Sequence, residues 1–331
     1  MLGRILYLAL GAGLLFWVGY HVDLAAVGAQ LAALSPVLAL AIVAAYFMAF
    51  LVDTMSWHLT LPSVRLDGTW LWRLWRIRMA GEALNAALPA ASFGGEPAKV
   101  LLLKRRHDIG IGESAASLVM ARTINLIGLI LFLAAVMLVA AGDARLPSEA
   151  KSAAGIGLGA FIVGVGGFFV VQNRGITSRI LALFGHGRFA DRVAAGIGHL
   201  QSVEARFAEF YSHSAGRFAS AVLLALLNWL IGCVELWLTM RAVGVPVSFA
   251  DAFVIEGVTQ MVRAGSFFIP LSLGAQEGAM VVVTAALTGS PSAGLSAALV
   301  RRARELLFIV WGLWLGRDIL GRKPDDGELT P

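Results

Sequence analysis

The sequence is short of charge and nearly empty of cysteine. Of its 331 residues only 14% are Asp, Glu, Lys or Arg, against about a quarter in a soluble domain, and 58% are hydrophobic, so a soluble globular protein is excluded. The single cysteine, Cys233, lies in an apolar run, which excludes an intrachain disulfide and leaves no mark of redox compartment. Strict period-2 alternation is missing, which excludes an outer-membrane barrel. There is no Cys/His metal set, no G-x-x-x-x-G-K-[ST] loop and no G-x-S-x-G elbow. Nothing therefore points to a metal, a cofactor or ATP hydrolysis by this chain. The glycine-rich stretches GAGLLFWVG and GIGLGAFIVGVGG sit in apolar spans and read as helix-packing faces. A net charge of +5 and a pI of about 9.8 come from basic residues dispersed between apolar runs, so no nucleic acid partner is expected.

What is present is apolar length. Mean hydropathy is +0.79, and several runs reach the roughly 20 residues a helix needs to cross a bilayer. The expected fold is an all-α polytopic membrane protein with about six transmembrane helices, at 2–20, 36–61, 114–141, 153–172, 217–241 and 294–316, and two broken apolar segments at 79–103 and 252–288. Residues 2–20 also suit a signal peptide, with Arg4 ahead and small residues at Ala25 to Ala29, but the length of the run favours a retained span. Connections 62–78, 104–113, 173–217 and 317–331 hold 16 Lys and Arg, whereas the others hold only Arg145, Lys151 and Arg241. The positive-inside rule then puts the first set and both termini in the cytoplasm, in the inner membrane.

On that topology each broken segment starts and ends on one side, so each is expected to be a re-entrant helical hairpin. The breaks share a grammar, with Pro89, Gly94, Gly95 and Glu96 in LPAASFGGEP and Pro270, Gly274 and Glu277 in IPLSLGAQEG, Glu standing seven residues after Pro in both. Proline stops a descending helix, glycine permits the turn, and the carboxylate sits in the first turn of the returning half-helix. Arg122 follows Pro89 by 33 residues and Arg302 follows Pro270 by 32, with Asn125 and Glu305 three residues further on. This predicts an inverted repeat, 36–141 and 217–316, within one membrane domain 1–320. An amphipathic cytoplasmic linker over 173–216 joins the halves, and a disordered tail covers 321–331.

Charge inside the spans needs a partner, a cavity or a ligand, because an intramembrane Arg costs at least about 2.5–3.5 kcal/mol on insertion scales. One reading is mutual neutralisation, with Glu82, Glu96, Glu256 and Glu277 pairing with Lys99, Arg122, Arg263 and Arg302 to lock the halves together. The other is function, because an ionic cluster stabilises less than packed apolar groups would and this one coincides with two helix breaks. Glu82, Asn85, Glu96, Arg122, Asn125, Arg263, Gln276, Glu277, Arg302 and Glu305 would then surround one polar pocket. The arginines would hold an anionic part of a head group. Glu96 and Glu277 would take a cationic part or relay protons, and Asn85 and Gln276 would add neutral hydrogen bonds.

GEALNAALPAASFGGEPAKVLLLKRR, ARTINLIGLILF and EGVTQMVRAGSFFIPLSLGAQEGAM, with the order of spans, resemble the flippase-like membrane domain of bacterial lysylphosphatidylglycerol synthases and its free-standing relatives, among them hopanoid-biosynthesis-associated membrane proteins. The resemblance runs from about residue 5 to 318. It implies translocation of a lipid between leaflets, and, in a chain lacking the soluble aminoacyltransferase domain, no synthase activity. A membrane lipid is the implied partner. An accessory role beside lipid- or glycan-biosynthetic enzymes is the alternative, and a membrane enzyme using Glu96 or Glu277 as general acid or base is a third reading.

Overall fold

The computed structural model describes residues 13, 16, 19–87, 95–173, 215–266 and 269–321. Most of span 2–20, most of the linker expected over 173–216, most of the tail expected over 321–331, and Pro89 and Gly94 fall outside the described residues. The regular elements among the described residues are helices: α1 (Leu24–Ala32), α2 (Pro36–His58), α3 (Gly68–Ala87), α4 (Gly95–His107), α5 (Ile111–Ala141), α6 (Ser148–Asn173), α7 (Ala215–Ala242), α8 (Phe249–Gly265), α9 (Ala275–Thr288) and α10 (Pro291–Gly321).

Local signals set several of these boundaries. Asp23 accepts from the backbone N–H groups of Ala25 and Ala26 and caps α1. Pro36 opens α2, where its missing N–H is no loss. Ser248 and Asp251 form a reciprocal capping box at α8. Gly289, left-handed at φ 73°, closes α9 two residues before Pro291 starts α10.

Helices α2, α5 and α7 are long and apolar enough to cross a membrane, with mean hydropathy of 2.2, 2.7 and 2.0. Their outward surfaces are apolar, Leu138 being 80% and Leu223 65% exposed, which suits lipid and not water. In α6 the apolar stretch is Lys151–Gly167, and α10 interrupts its own apolar run with Arg301, Arg302, Arg304 and Glu305. The chain is an all-α polytopic membrane protein.

Helices α3 and α4 pack against each other as one helical hairpin, and α8 and α9 as another. At 13, 17 and 14 residues, α4, α8 and α9 fall short of the roughly 20 a crossing takes. The hairpin expected over 79–103 is longer at both ends. Residues 68–78, expected as a loop, are already helix, because Trp70, Leu74, Trp75 and Ile77 give the segment an apolar face to bury. At the centre α2 lies along α7, while α3 packs on α10 and α8 packs on α5, so each hairpin is gripped by a helix from the other end of the chain. Where α3 meets α10 the contact is aromatic. Trp75 and Trp311 stand 5.1 Å apart edge to face, with Phe47, Phe50 and Phe308 around them.

Candidate functional site

The first cluster forms at the α3–α4 hairpin. Arg78, Glu82 and Asn85 recur at helical spacing on α3, Glu96 and Lys99 stand three apart on α4, and Arg122 and Asn125 three apart on α5, so each helix presents one polar stripe. Lys99 Nζ donates to Glu82 Oε1 at 2.6 Å and to Glu96 Oε1 at 2.9 Å. Arg122 Nη2 donates to the same two oxygens, at 3.2 Å and 2.5 Å. Asn85 donates to Glu82 and accepts from the Gly95 N–H at 2.6 Å, which ties the arms together across the break. A Cβ on Gly95 would lie 1.9 Å from the Gly81 carbonyl oxygen, so only glycine allows the arms this close. Arg78 forms an ion pair with Asp53 of α2, and Asn125 reaches the same carboxylate at 3.4 Å.

All of these side chains except Asn85, with Trp57, Leu118 and Ala121, line a narrow cleft whose free space is about 320 Å³, open side included. Asp53, Glu82 and Glu96 face Arg78, Lys99 and Arg122 across it, so the formal charges cancel. Exposure separates the cations. The side chain of Lys99 is 3% exposed, whereas that of Arg122 is 52% exposed. One oxygen of Glu96, Oε2, is buried with no hydrogen-bond partner among the described residues. Such a site accepts an anion only if Arg122 leaves a carboxylate; a group carrying both signs exchanges one pair for another.

The second cluster forms at the α8–α9 break. Leu271 and Ser272, in a short 3-10 turn that starts at Pro270, have φ of 54° and 49°, and Gly274 has φ 78°. Left-handed backbone at two non-glycine residues costs of order 1–3 kcal/mol each and persists only where the surroundings enforce it. Arg302 does so by donating to Glu277 at 2.6 Å, to Glu305 at 2.9 Å and to the Leu271 carbonyl at 2.9 Å. Glu277 in turn accepts from the Gly274 N–H at 2.7 Å. Gln276 is 2% exposed, and its Oε1 has no partner among the described residues.

Two further buried pairs lock the core. Arg301 pairs with Glu256, to which Gln260 also donates at 2.6 Å. Arg304 pairs with Glu235 at 2.9 Å and lies 3.7 Å over the ring of Tyr46.

The candidates therefore divide. Glu82, Asn85, Glu96, Arg122 and Asn125 meet in the first cluster; Glu277, Arg302 and Glu305 meet in the second. Arg263 is exposed and forms no ion pair among the described residues. No hydrogen bond or ion pair among the described residues joins the two clusters. Sequence reasoning missed Asp53 and left Arg78 in the connection 62–78. The available signal was spacing, since Arg78 precedes Glu82 by four residues on one helical face.

On the side opposite the hairpin break of α3–α4, Arg145 in the α5–α6 loop pairs with Asp143 at 2.7 Å and Asp251 at 2.5 Å and donates to the Leu287 carbonyl at 3.2 Å. Hydrogen bonds from Arg145 hold the Asp143 carboxyl down at about 2.

The family described as the lysylphosphatidylglycerol synthase TM region matches residues 4–312. A UPF0104 membrane protein of Methanothermobacter thermautotrophicus is 23% identical over 293 residues, covering 81% of this chain and 80% of the relative. No solved structure matches. With nearly its whole length covered, the chain belongs to the lysylphosphatidylglycerol synthase transmembrane-region family.

Proposed function

We propose that the protein is a transporter that moves a lipid with a polar head group between the leaflets of the inner membrane, its termini cytoplasmic and its two hairpins re-entrant. The carrying observation is Arg122, half-exposed in a charge-balanced cleft although two carboxylates already hold it. A guanidinium kept only to neutralise carboxylates would be covered, as Lys99 is. The head group enters this cleft, takes Arg122 with its anionic part and leaves Glu96 free for a cationic or hydroxyl part. The cleft is narrow, so α4 must shift from α5 as the head group passes.

An inverted repeat explains the second cluster. Arg122 stands eleven residues into the 31-residue α5, and Arg302 eleven into the 31-residue α10, each reaching a glutamate in the first turn of the helix after a break. Eleven residues is about 16 Å of helix, roughly half a hydrocarbon core. The two sites then serve opposite halves of the passage, Glu277, Arg302, Glu305 and Arg263 receiving the head group from the outer side. No catalytic constellation is invoked. The test is a flip assay in liposomes holding a fluorescent phospholipid, phosphatidylethanolamine first. Arg122→Ala and Arg302→Ala should each abolish flipping in protein that remains folded, and wild-type rates in both would refute the assignment.

A further inference from the structure

The four carboxylate oxygens of Glu82 and Glu96 are unequally served. Glu82 Oε1 and Glu96 Oε1 each accept from both Lys99 Nζ and Arg122 Nη2, and Glu82 Oε2 accepts from Asn85 at 3.2 Å. Glu96 Oε2 is buried and has no donor among the described residues. A buried acceptor left unfilled is unfavourable, and a ligand that brings an N–H or O–H to it removes the penalty.

The two cations differ in whether they can leave. Lys99 lies flat on Gly81, where an added Cβ would stand 2.4 Å from Lys99 Cε and 2.5 Å from its Cγ, and its side chain is only 3% exposed, so it stays. Arg122 reaches in from α5 and is 52% exposed, so it is the exchangeable partner. Whatever replaces it must reproduce the contacts of a single nitrogen, Nη2, at 3.2 Å from Glu82 Oε1 and 2.5 Å from Glu96 Oε1. Lys99 Nζ shows the chemistry that does so, an ammonium lying 2.6 Å and 2.9 Å from the same two oxygens. A primary ammonium in place of Nη2 carries one N–H more than Nη2 does, and that is the donor Glu96 Oε2 lacks. A quaternary ammonium has no N–H, and its methyl groups keep the nitrogen beyond hydrogen-bond distance. A head group with only negative charge draws Arg122 away and leaves the two glutamates to share Lys99.

We propose that the cleft selects a zwitterionic lipid head group in which a phosphate is joined to a primary ammonium. The ammonium enters between Glu82 and Glu96, and the released Arg122 guanidinium takes the phosphate, whose oxygens suit its planar fork. Charge stays balanced throughout, because Asp53, Glu82 and Glu96 already cancel Arg78, Lys99 and Arg122 and such a head group adds none. That the occupant is a lipid rests on the transport reading above; the demand for N–H donors rests on the carboxylates alone.

The full-length protein in detergent, offered equal amounts of phosphatidylethanolamine and its mono-, di- and trimethylated forms with identical acyl chains, would be read by native mass spectrometry for retained lipid. Retention should fall with each methyl and differ by about tenfold or more between the ends of the series, and Glu96→Gln should flatten it. Equal retention of all four by wild-type protein overturns the proposal, a result that needs no variant to fold. Phosphatidylglycerol retained as well as phosphatidylethanolamine overturns the demand for an ammonium. Displacement of the lipid by glycerophosphoethanolamine at equal concentration overturns the assignment to a lipid. Retention needs no passage across a bilayer, so a protein that selects phosphatidylethanolamine and flips nothing in liposomes keeps this site and loses transport. One that flips phosphatidylethanolamine and phosphatidylcholine alike and retains them equally keeps transport and loses the selectivity.

Discussion

Lys99 and Arg122 hold the same two carboxylates, yet their environments predict opposite consequences of removing them. Lys99 is buried at 3% exposure, so Lys99→Met leaves Glu82 and Glu96 side by side against a single half-exposed guanidinium. Breaking a buried pair by deleting one partner costs about 3–5 kcal/mol. Arg122 is 52% exposed, where each ion pair contributes about 0–1 kcal/mol, so Arg122→Gln costs about 0–2 kcal/mol for its two contacts. The difference is about 1–5 kcal/mol, and thermal unfolding in detergent, followed by the fluorescence of nine tryptophans, reads it directly. Flipping in liposomes should show the reverse order. Arg122→Gln folds and does not transport, whereas any Lys99→Met that survives purification keeps its Arg122 and some activity. The reasoning fails if Arg122→Gln unfolds as early as Lys99→Met, or if it flips lipid at the wild-type rate.

Further outcomes follow from the same coordinates. Gly95→Ala drives a methyl into the Gly81 carbonyl, so it should separate the hairpin arms, lowering Tm and raising hydrogen exchange in α4; unchanged exchange would contradict the close approach. Arg301→Leu alone strands Glu256 and should destabilise by about 3–5 kcal/mol, while Arg301→Leu with Glu256→Leu should recover at least half of that in equilibrium unfolding. Asp143 sits at about 2 when folded against an ordinary value of 3.8. A depressed carboxyl stabilises fully above its ordinary value and loses that contribution as pH falls from about 4 to about 2. The hydrogen-exchange protection factors of residues 142–147, taken relative to the intrinsic rate at each pH, should therefore be flat near neutrality and fall over that acid window, and Arg145→Ala should remove the change.

Hydropathy is a property of contiguous residues, so α2, α5 and α7 were legible as spans within a few residues of their ends. The breaks were legible for the same local reason. Proline and glycine interrupt a helix whatever surrounds it, and the parallel spacing from Pro89 to Arg122 and from Pro270 to Arg302 reflects chain arithmetic. The start of α3 was not legible, because four arginines among 62–78 look like a loop until Leu74, Trp75 and Ile77 find a surface to cover. Nor were the partners. Charges at membrane depth must be neutralised, and the sequence required that much of Glu82, Glu96, Arg122 and Arg302. Which charge meets which is set by how helices rotate and cross, over separations of 25 residues for Arg78 with Asp53, 40 for Arg122 with Glu82 and 45 for Arg301 with Glu256. The aromatic contact among α2, α3 and α10 belongs to the same level, because its rings are adjacent only once the chain has packed. Segment chemistry thus determined that this is a helical membrane protein with two broken arms bearing charge; the side-chain packing between distant segments decided where each charge rests and which one stays exposed.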